Sequence, residues 1–402
     1  MKYSVNEVKQ YIAETEVKFI RLAFCDIYGN QKNIAIMPGE LDRAFEYGIS
    51  IDASSIAGFK GDVRSDLILR PDPSTLSILP WRPESGRVVR MFCDITYPDG
   101  RIFDADMRNI LKKTVEKAES KGISFSFGTE MEFYIFKTDE NGDPTKIPYD
   151  KAGYMDVAPD DKGENIRREI CLTLEQMSII PESSHHEEGP GQNEIDFRYS
   201  DPVTTADNAV TFKSVVKTIA NRNGLYADFS PKPLRGYPGN GMHINISVKN
   251  AAGTNCNEAA TAGIMKRISE ITVFLNPDND SYERLGGYKA PSYISWSSEN
   301  RSQLIRIPAA VGQYERAELR SADCMTNPYI ALALLMEAAM EGIENQLTLP
   351  APADLNLFNA SMAEVNTYKK LPGTLQEAKN TAASSEFIKS ILPAKLIEDY
   401  CM

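Results

Sequence analysis

The sequence predicts an α+β protein of two domains, and three observations carry the prediction. At 402 residues the chain is past the size at which one hydrophobic core stops growing, so two domains are expected rather than one. Short segments such as Phe125–Phe136 and Met242–Val248 alternate apolar and polar residues with the period of a strand. Longer segments such as Asp106–Ser120 space their apolar residues three and four apart, as a helix does.

Residues 1–98 read as a small α+β unit. A helix around Val5–Ala13 precedes a strand over Val17–Asp26. The turn Tyr28-Gly29-Asn30 and a strand over Lys32–Met37 complete a hairpin. Arg87–Ile95 is a later strand that closes the unit, and Tyr97-Pro98-Asp99-Gly100 marks its boundary. The second domain, 104–402, opens on the Asp106–Ser120 helix (Ile110, Leu111, Thr114, Val115, Ala118), with Asp104 or Asp106 as its cap. Further helices are expected at Glu164–Met177, Ala206–Asn223, Thr261–Leu275, Pro328–Glu344 and Leu375–Ile391. The fourth has Asn327 as cap and Pro328 at its first position. Asp139–Asp161 and Gly236–Gly241, rich in turn formers, read as loops.

Composition narrows the function. Forty-four Lys+Arg against 56 Asp+Glu leave a net charge of −12, which argues against a chain that works on nucleic-acid backbone or an anionic membrane. No apolar run reaches membrane-spanning length, and the start MKYSVNEVKQ lacks the charged and apolar segments of a signal peptide. The six cysteines are scattered, without a C-x-x-C pair. A disulfide framework or cysteine zinc site is therefore not expected, and a reducing, cytoplasmic setting is.

The chemistry concentrates on four strands. Along Phe125–Phe136 one face carries Phe125, Phe127, Met131, Phe133 and Ile135, while Glu130 and Glu132 share the other. Like charges two apart on one face repel, and a divalent cation would relieve them. In Gln192–Ser200, Glu194, Asp196 and Arg198 share a face, opposite Ile195, Phe197 and Tyr199. In Met242–Val248, His243, Asn245 and Ser247 do so, and in Arg316–Arg320, Arg316, Glu318 and Arg320. If these faces converge, they make a concave sheet lined with oxygen ligands and arginines. The chain's three histidines, His185, His186 and His243, fall beside this acidic set, and Glu187 and Glu194 flank a Gly-Pro-Gly turn. Carboxylate oxygens with one imidazole suit Mg²⁺ or Mn²⁺ better than zinc. A hard cation with arginines nearby, Arg301 and Arg306 among them, suggests phosphate chemistry. Gly189-Pro190-Gly191 is not followed by the Gly-Lys-Ser/Thr of a Walker loop, so a nucleotide would be held by sheet side chains and metals.

Six ordered motifs over some 290 residues resemble the bacterial and archaeal type I glutamine synthetase family. IDASSIAGF resembles its aspartate loop, FGTEMEF its G-x-E-x-E strand and HHEEGPGQNEID its two-glutamate segment. KPLRGYPGNGMHINIS, DSYERLGGYKAPSYISWSSENRSQLIRIP and ERAELRSADCMTNPYIALA match the remaining active-site segments. The resemblance implies a β-grasp N-terminal domain and a catalytic domain on a curved antiparallel sheet flanked by helices. It also implies a homo-oligomeric ring with sites between subunits, where Asp52 enters the neighbour's site. The implied chemistry is ATP-dependent: glutamate's γ-carboxylate is phosphorylated, and ammonia then displaces phosphate.

By the same resemblance, Glu130, Glu187 and Glu194, with Glu132 a further ligand, would hold the metal near the glutamate. Glu130, His243 and Glu318 would hold the metal at the ATP phosphates. Arg284 and Arg320 match residues that grip the glutamate carboxylates, and Gly239 the backbone beside it. Arg301, Arg306 and Arg316 match arginines on the transferring phosphoryl group, and Ser247 a nucleotide contact. Asp52, Arg301, Arg306 and Arg320 would be the catalytic set.

Departures fall in the ammonia half. Where the family's flap has a glutamate before Ala-Pro, this chain has Gly287-Tyr288-Lys289-Ala290-Pro291, one residue shorter upstream. Lys289 would repel ammonium and cannot act as an anionic base. Pro238 replaces a polar residue of the glutamate loop, and Asn245 the second histidine of His-x-His. Gly58-Phe59-Lys60-Gly61-Asp62 lacks the feedback arginine of one subgroup, and the segment around Tyr368 departs from the adenylylation site. The chain stops short of the family's last helical extension, so one ring and two stacked rings both stay open. Three activities remain: a glutamate–ammonia ligase, a γ-glutamyl ligase for an organic amine, and a non-catalytic paralogue. The retained metal-type residues argue against the last.

Overall fold

A computed structural model describes residues 3–59, 65–83, 85–298, 300–308 and 316–401; residues 60–62 of the expected feedback segment lie outside the described residues. The first unit opens with α1 (Val5–Glu14). Ser4 Oγ accepts from Glu7 N while the Glu7 carboxylate accepts from Ser4 N, a reciprocal cap that satisfies two otherwise orphaned donors. Then come β1 (Val17–Cys25), β2 (Gln31–Ile36), α2 (Leu41–Glu46), β3 (Ile49–Asp52), β4 (Asp66–Pro71), β5 (Ser77–Ile78) and β6 (Arg87–Thr96). The sheet order is β2-β1-β6-β4-β3, with β5 also on β6. β1 and β6 run parallel at its centre and their outer neighbours antiparallel. The expected hairpin forms, with Ile20 opposite Ile36 and Cys25 opposite Gln31.

The second unit comprises α3 (Met107–Ser120), β7 (Ile123–Thr138), β8 (Pro144–Pro148), α4 (Glu164–Gln176), β9 (Pro181–His186), β10 (Gln192–Phe197), α5 (Pro202–Arg222), β11 (Leu225–Asp228), β12 (Met242–Asn250), α6 (Asn257–Leu275), α7 (Asn279–Arg284), β13 (Trp296–Ser297), β14 (Ile305–Arg306), β15 (Ala317–Leu319), α8 (Pro328–Glu344), α9 (Met362–Val365), α10 (Leu375–Ser384), α11 (Glu386–Ile391) and α12 (Ala394–Cys401). Among the described residues its sheet has nine strands in the order β13-β14-β15-β12-β7-β10-β9, with β8 and β11 added to β7. All pairings are antiparallel except β13 with β14. β7, 16 residues long, is the spine. Its first nine residues pair with β12 and its later ones with β10, β11 and β8.

Helices cover one side of this sheet. Buried Phe127, Phe133, Ile195 and Ile244 face α5 residues such as Phe212 and Val216 in a common core. α6 and α8 cross closely where two glycines meet: a Cβ on Gly263 would lie 2.1 Å from Ala338 O, and one on Gly342 2.1 Å from Ala259 O. The two units are tied by Arg108 of α3, buried, which donates to Asp72 (2.9 Å), Asp94 (3.1 Å) and Asp207 (3.0 Å). Asn327 Nδ2 and Tyr400 Oη both donate to Ile27 O, at 2.8 and 2.6 Å.

Several boundaries move. Asp106, not Asp104, caps α3. α5 begins four residues early, because Asp201 accepts from Thr204 N and Pro202 takes the first helical position. The stretch Leu375–Ile391 is two helices: Ser385 accepts from Ile388 N, opening a second helix where the first ends. The expected Asp139–Asp161 loop contains β8. β10 stops at Phe197, so Tyr199 does not join the apolar face; it is 57% exposed and lies over Gly128, on the same side as the carboxylates.

Candidate active site

Strand register alone assembles the site. β15, β12, β7 and β10 are consecutive in the sheet, so the four polar faces read from sequence become one surface. His243 stands opposite Glu130, and Asp196 flanks Glu130 from the other side. Glu194 lies between Glu132 and His185. Asn245 and Arg306 both oppose Glu318. Side chains two apart on a strand share a face, which is why each local alternation delivers its residues to the same side.

Two adjoining cavities open on this face. One, of about 290 Å³, is lined by carboxylates and arginines, among them Glu132, Glu187, Glu194, Arg284, Arg301 and Arg320. The other, of about 380 Å³, is less charged and takes in Ser126, Tyr199, Asn245, Ile246, Ser247 and Lys249. Glu130, Asp196 and Arg316 border both, so the chambers meet at the carboxylate cluster.

The electrostatics of that cluster call for cations. Glu130, His243 and Glu318 offer ligand atoms within 4.8 Å of one another, and so do Glu132, Glu194 and His243, and His185, Glu187 and Glu194. Burial raises the Glu187 carboxyl to about 7, and the charge of Glu132 adds to the lift. Asp196 is likewise pushed to about 7 by burial and by Glu130. Glu194 is held well above the carboxylate range by burial, then by Glu132, Asp196 and Glu130. Glu130 goes the other way: burial would raise it, but His243 Nδ1 at 3.3 Å and Asn245 Nδ2 at 2.8 Å bring it down to about 2. Buried like charges raise one another's pKa unless a cation intervenes. An all-oxygen set with one imidazole fits hard divalent ions, so the residues present fit the metals that the resemblance implied.

Arginines ring the same cluster. Glu318, 1% exposed, is bound by Arg306 at 2.8 Å and by Arg320. Among the described residues the Nε of Arg306 and of Arg316 is buried without an acceptor, and both arginines line the carboxylate chamber. Arg284 is buried, donating to Ser321 O (2.8 Å) and Arg320 O (3.3 Å). Arg301 is exposed at the rim. Gly239 must lack a side chain, since a Cβ there would sit 2.1 Å from Pro231 O. Its carbonyl accepts from Gln192 Nε2 at 3.1 Å.

Of the residues that the resemblance gave a role, Asp52 stands apart, and Arg198, expected on the polar face of β10, lies past its end, exposed and lining neither cavity. Asp52 ends β3 exposed, its carboxylate accepting from Ser54 N at 2.9 Å, and it lines neither cavity. Ser247 reaches the less charged chamber. His186 is no wall of the cavity: fully buried, it bridges Asp150 Oδ1 (2.9 Å) and Glu187 O (2.6 Å) and so pins the strand end that presents Glu187. Sequence reading put Asp196 on the right face without giving it a role. Gln192 and Glu188 were given no role, although both lie in HHEEGPGQNEID and the alternation of Gln192–Ser200 puts Gln192 on the face of Glu194 and Asp196.

Lys289, the departure in the flap, lines the carboxylate chamber and is ion-paired with Glu188.

Comparison with known proteins supplies the frame. Residues 16–98 match the family model "Glutamine synthetase, beta-Grasp domain" and residues 104–402 the model "Glutamine synthetase, catalytic domain". A glutamine synthetase of Clostridium saccharobutylicum is 44% identical, covering 99% of this chain and 94% of that protein. One from Methanosarcina mazei is 45% identical over 98% of this chain and 92% of its own. A solved structure described as a GmaS/ADP complex superposes with a TM-score of 0.88 at 26% identity, covering 98% of this chain and 94% of that one.

Proposed function

The chain belongs to the glutamine synthetase family, and from that premise we propose that it is a glutamate–ammonia ligase working on the sheet surface described above. It joins ammonia to the γ-carboxylate of L-glutamate at the expense of ATP, giving glutamine, ADP and phosphate. The observation that carries the reading is the meeting of buried carboxylates, His243 and guanidinium groups where two chambers join.

The less charged chamber takes the nucleotide, with Ser247 a contact, and places its phosphates toward Glu130, His243 and Glu318. Glutamate occupies the carboxylate chamber between Arg284, Arg320 and the Gly239 backbone. Glu130, His243 and Glu318 would hold one Mg²⁺ or Mn²⁺ and Glu130, Glu187 and Glu194, with Glu132 a further ligand, another; such ions supply charge neutralisation at the phosphoryl oxygens. The γ-carboxylate oxygen attacks the terminal phosphorus and ADP leaves with the bridging oxygen. Arg301, Arg306 and Arg316 offset the charge on the transferring group. Ammonia then attacks the acyl carbon, phosphate departs with the bonding electrons, and nitrogen loses a proton. Arg320 serves both ends, since it binds Glu318 and lies beside the glutamate.

Residues 1–98 and 104–402 form the two domains of this reading. The exposure of Asp52 supports its donation to a neighbouring subunit in a homo-oligomeric ring. Six free cysteines fit a reducing cytoplasm, and among the described residues no helix is long and apolar enough to cross a membrane.

A second reading, transfer to an organic amine, draws on Lys289 at the chamber mouth. One experiment separates them: phosphate release from ATP with Mg²⁺ and glutamate, adding ammonium, hydroxylamine or small amines in turn. Release with ammonium and glutamine detected by mass is the expected result. Release only with another amine transfers the assignment to that acceptor, and no release with any of them defeats catalysis altogether.

A further inference from the structure

Residues 286–290 form a flap whose Tyr288, Lys289 and Ala290 line the carboxylate chamber, its turn closed by hydrogen bonds from Gly286 N to Ala290 O (2.9 Å) and from Ala290 N to Gly287 O (3.0 Å). Tyr288 and Lys289 are consecutive non-glycine residues at φ +48° and +67°, in the left-handed region that side chains with a Cβ rarely adopt and that persists only where surrounding contacts impose it. Three other segments add contacts that fix the turn against the chamber. Tyr288 Oη donates to Gly236 O at 2.7 Å, and Lys232 Nζ stands 4.6 Å over the Tyr288 ring. Lys289 Nζ lies 5.2 Å over the Tyr154 ring and is ion-paired with Glu188. Tyr154 in turn packs edge-on against His185, ring centres 5.4 Å apart. Glu188, Tyr154, Tyr288 and Lys289 all line the chamber that contains Glu132, Glu187 and Glu194.

We propose that Glu188 is a positioning residue for this flap. By binding Lys289 it latches residues 286–290 over the carboxylate chamber and cancels the charge that Lys289 brings to the mouth, so that a cationic acceptor can enter. The inference rests on the ligase reading above for its acceptor, and on geometry alone for its latch. An unpaired lysine at the rim would repel ammonium through a narrow, low-dielectric opening, whereas a paired one presents no net charge.

The test uses Glu188→Gln, Lys289→Gln and the double variant in the full chain. Amide exchange of residues 286–290 should run roughly two- to five-fold faster in Glu188→Gln, the loss expected for a half-exposed ion pair. In phosphate release, Glu188→Gln should raise the KM for ammonium by roughly threefold or more while leaving that for hydroxylamine, uncharged at neutral pH, in place. Glu188→Gln with Lys289→Gln should bring the ammonium KM back toward the parent value, because no uncompensated cation remains. Unchanged exchange in Glu188→Gln overturns the latch. Equal KM increases for both nucleophiles overturn the charge role and leave Glu188 a packing residue. A parent protein inactive with both nucleophiles would overturn the ligase reading instead, and the exchange measurement would still decide the latch.

Discussion

Glu187 offers the sharpest test of the carboxylate cluster, because its cost to the metal-free fold has a sign and a size. Its carboxyl is lifted from 4.5 to about 7, by burial first and by Glu132 second. Below pH 4.5 the group is protonated in folded and unfolded chains alike and costs nothing. Between 4.5 and about 7 the unfolded chain gives up its proton while the folded one keeps it, so stability falls as pH rises. Above about 7 the full penalty stands, on the order of 3 kcal/mol. Glu187→Gln removes it and retains an acceptor for the Glu188 N–H, which now bonds Glu187 Oε2 at 3.0 Å. In EDTA at pH 8 the variant should melt above the parent by roughly 3 to 4 °C, given the unfolding entropy of a chain this long, and the difference should shrink toward zero at pH 5. Excess Mg²⁺ or Mn²⁺ should reverse the order, since the parent gains a ligand set that the variant has lost. Thermal melts at pH 5, 6, 7 and 8, with EDTA and with metal, measure both effects. A metal-free variant no more stable than the parent at pH 8 would refute the reasoning, because Glu187 would then be neither buried nor crowded by charge.

Three other outcomes are expected. Glu130→Gln should lower phosphate release by roughly 10²-fold or more by removing a shared metal ligand, with circular dichroism unchanged; substantial remaining turnover would defeat its assignment. Gly239→Ala should raise the glutamate KM at least roughly tenfold, because its Cβ would meet Pro231 O at 2.1 Å and the loop must shift; an unaltered glutamate dependence would mean that this backbone does not touch substrate. Arg108→Ala leaves Asp72, Asp94 and Asp207 facing one another without the guanidinium that binds all three, and should cost about 3–5 kcal/mol, read as a lower denaturation midpoint that Arg108→Lys partly restores.

Much of the fold was legible wherever a local signal was long. The alternation through FSFGTEMEFYIF produced β7 and its two faces, and Asn327-Pro328 placed the start of α8 to the residue. Short elements escaped because a few residues carry no periodicity: β3 has four residues and β14 two. The break between α10 and α11 was hidden for another reason. Apolar spacing runs continuously through Leu375–Ile391, and the helix ends only because Ser385 caps a new one and also donates to Glu270 of α6, a contact 115 residues away in sequence.

What the chain determined by itself is which side chains share a face. The pleat repeats every two residues, so Glu130 with Glu132, Glu194 with Asp196 and Glu318 with Arg320 are paired by backbone geometry alone. Which of these pairs meet is a matter of register between distant strands, and only the tertiary structure decided it. It set His243 and Asp196 on either side of Glu130, buried Glu318 between Arg306 and Arg320, and carried Glu188 to Lys289 across 101 positions. The pKa values follow from that last step as well, because burial and neighbouring charge belong to the assembled sheet and to no segment of it.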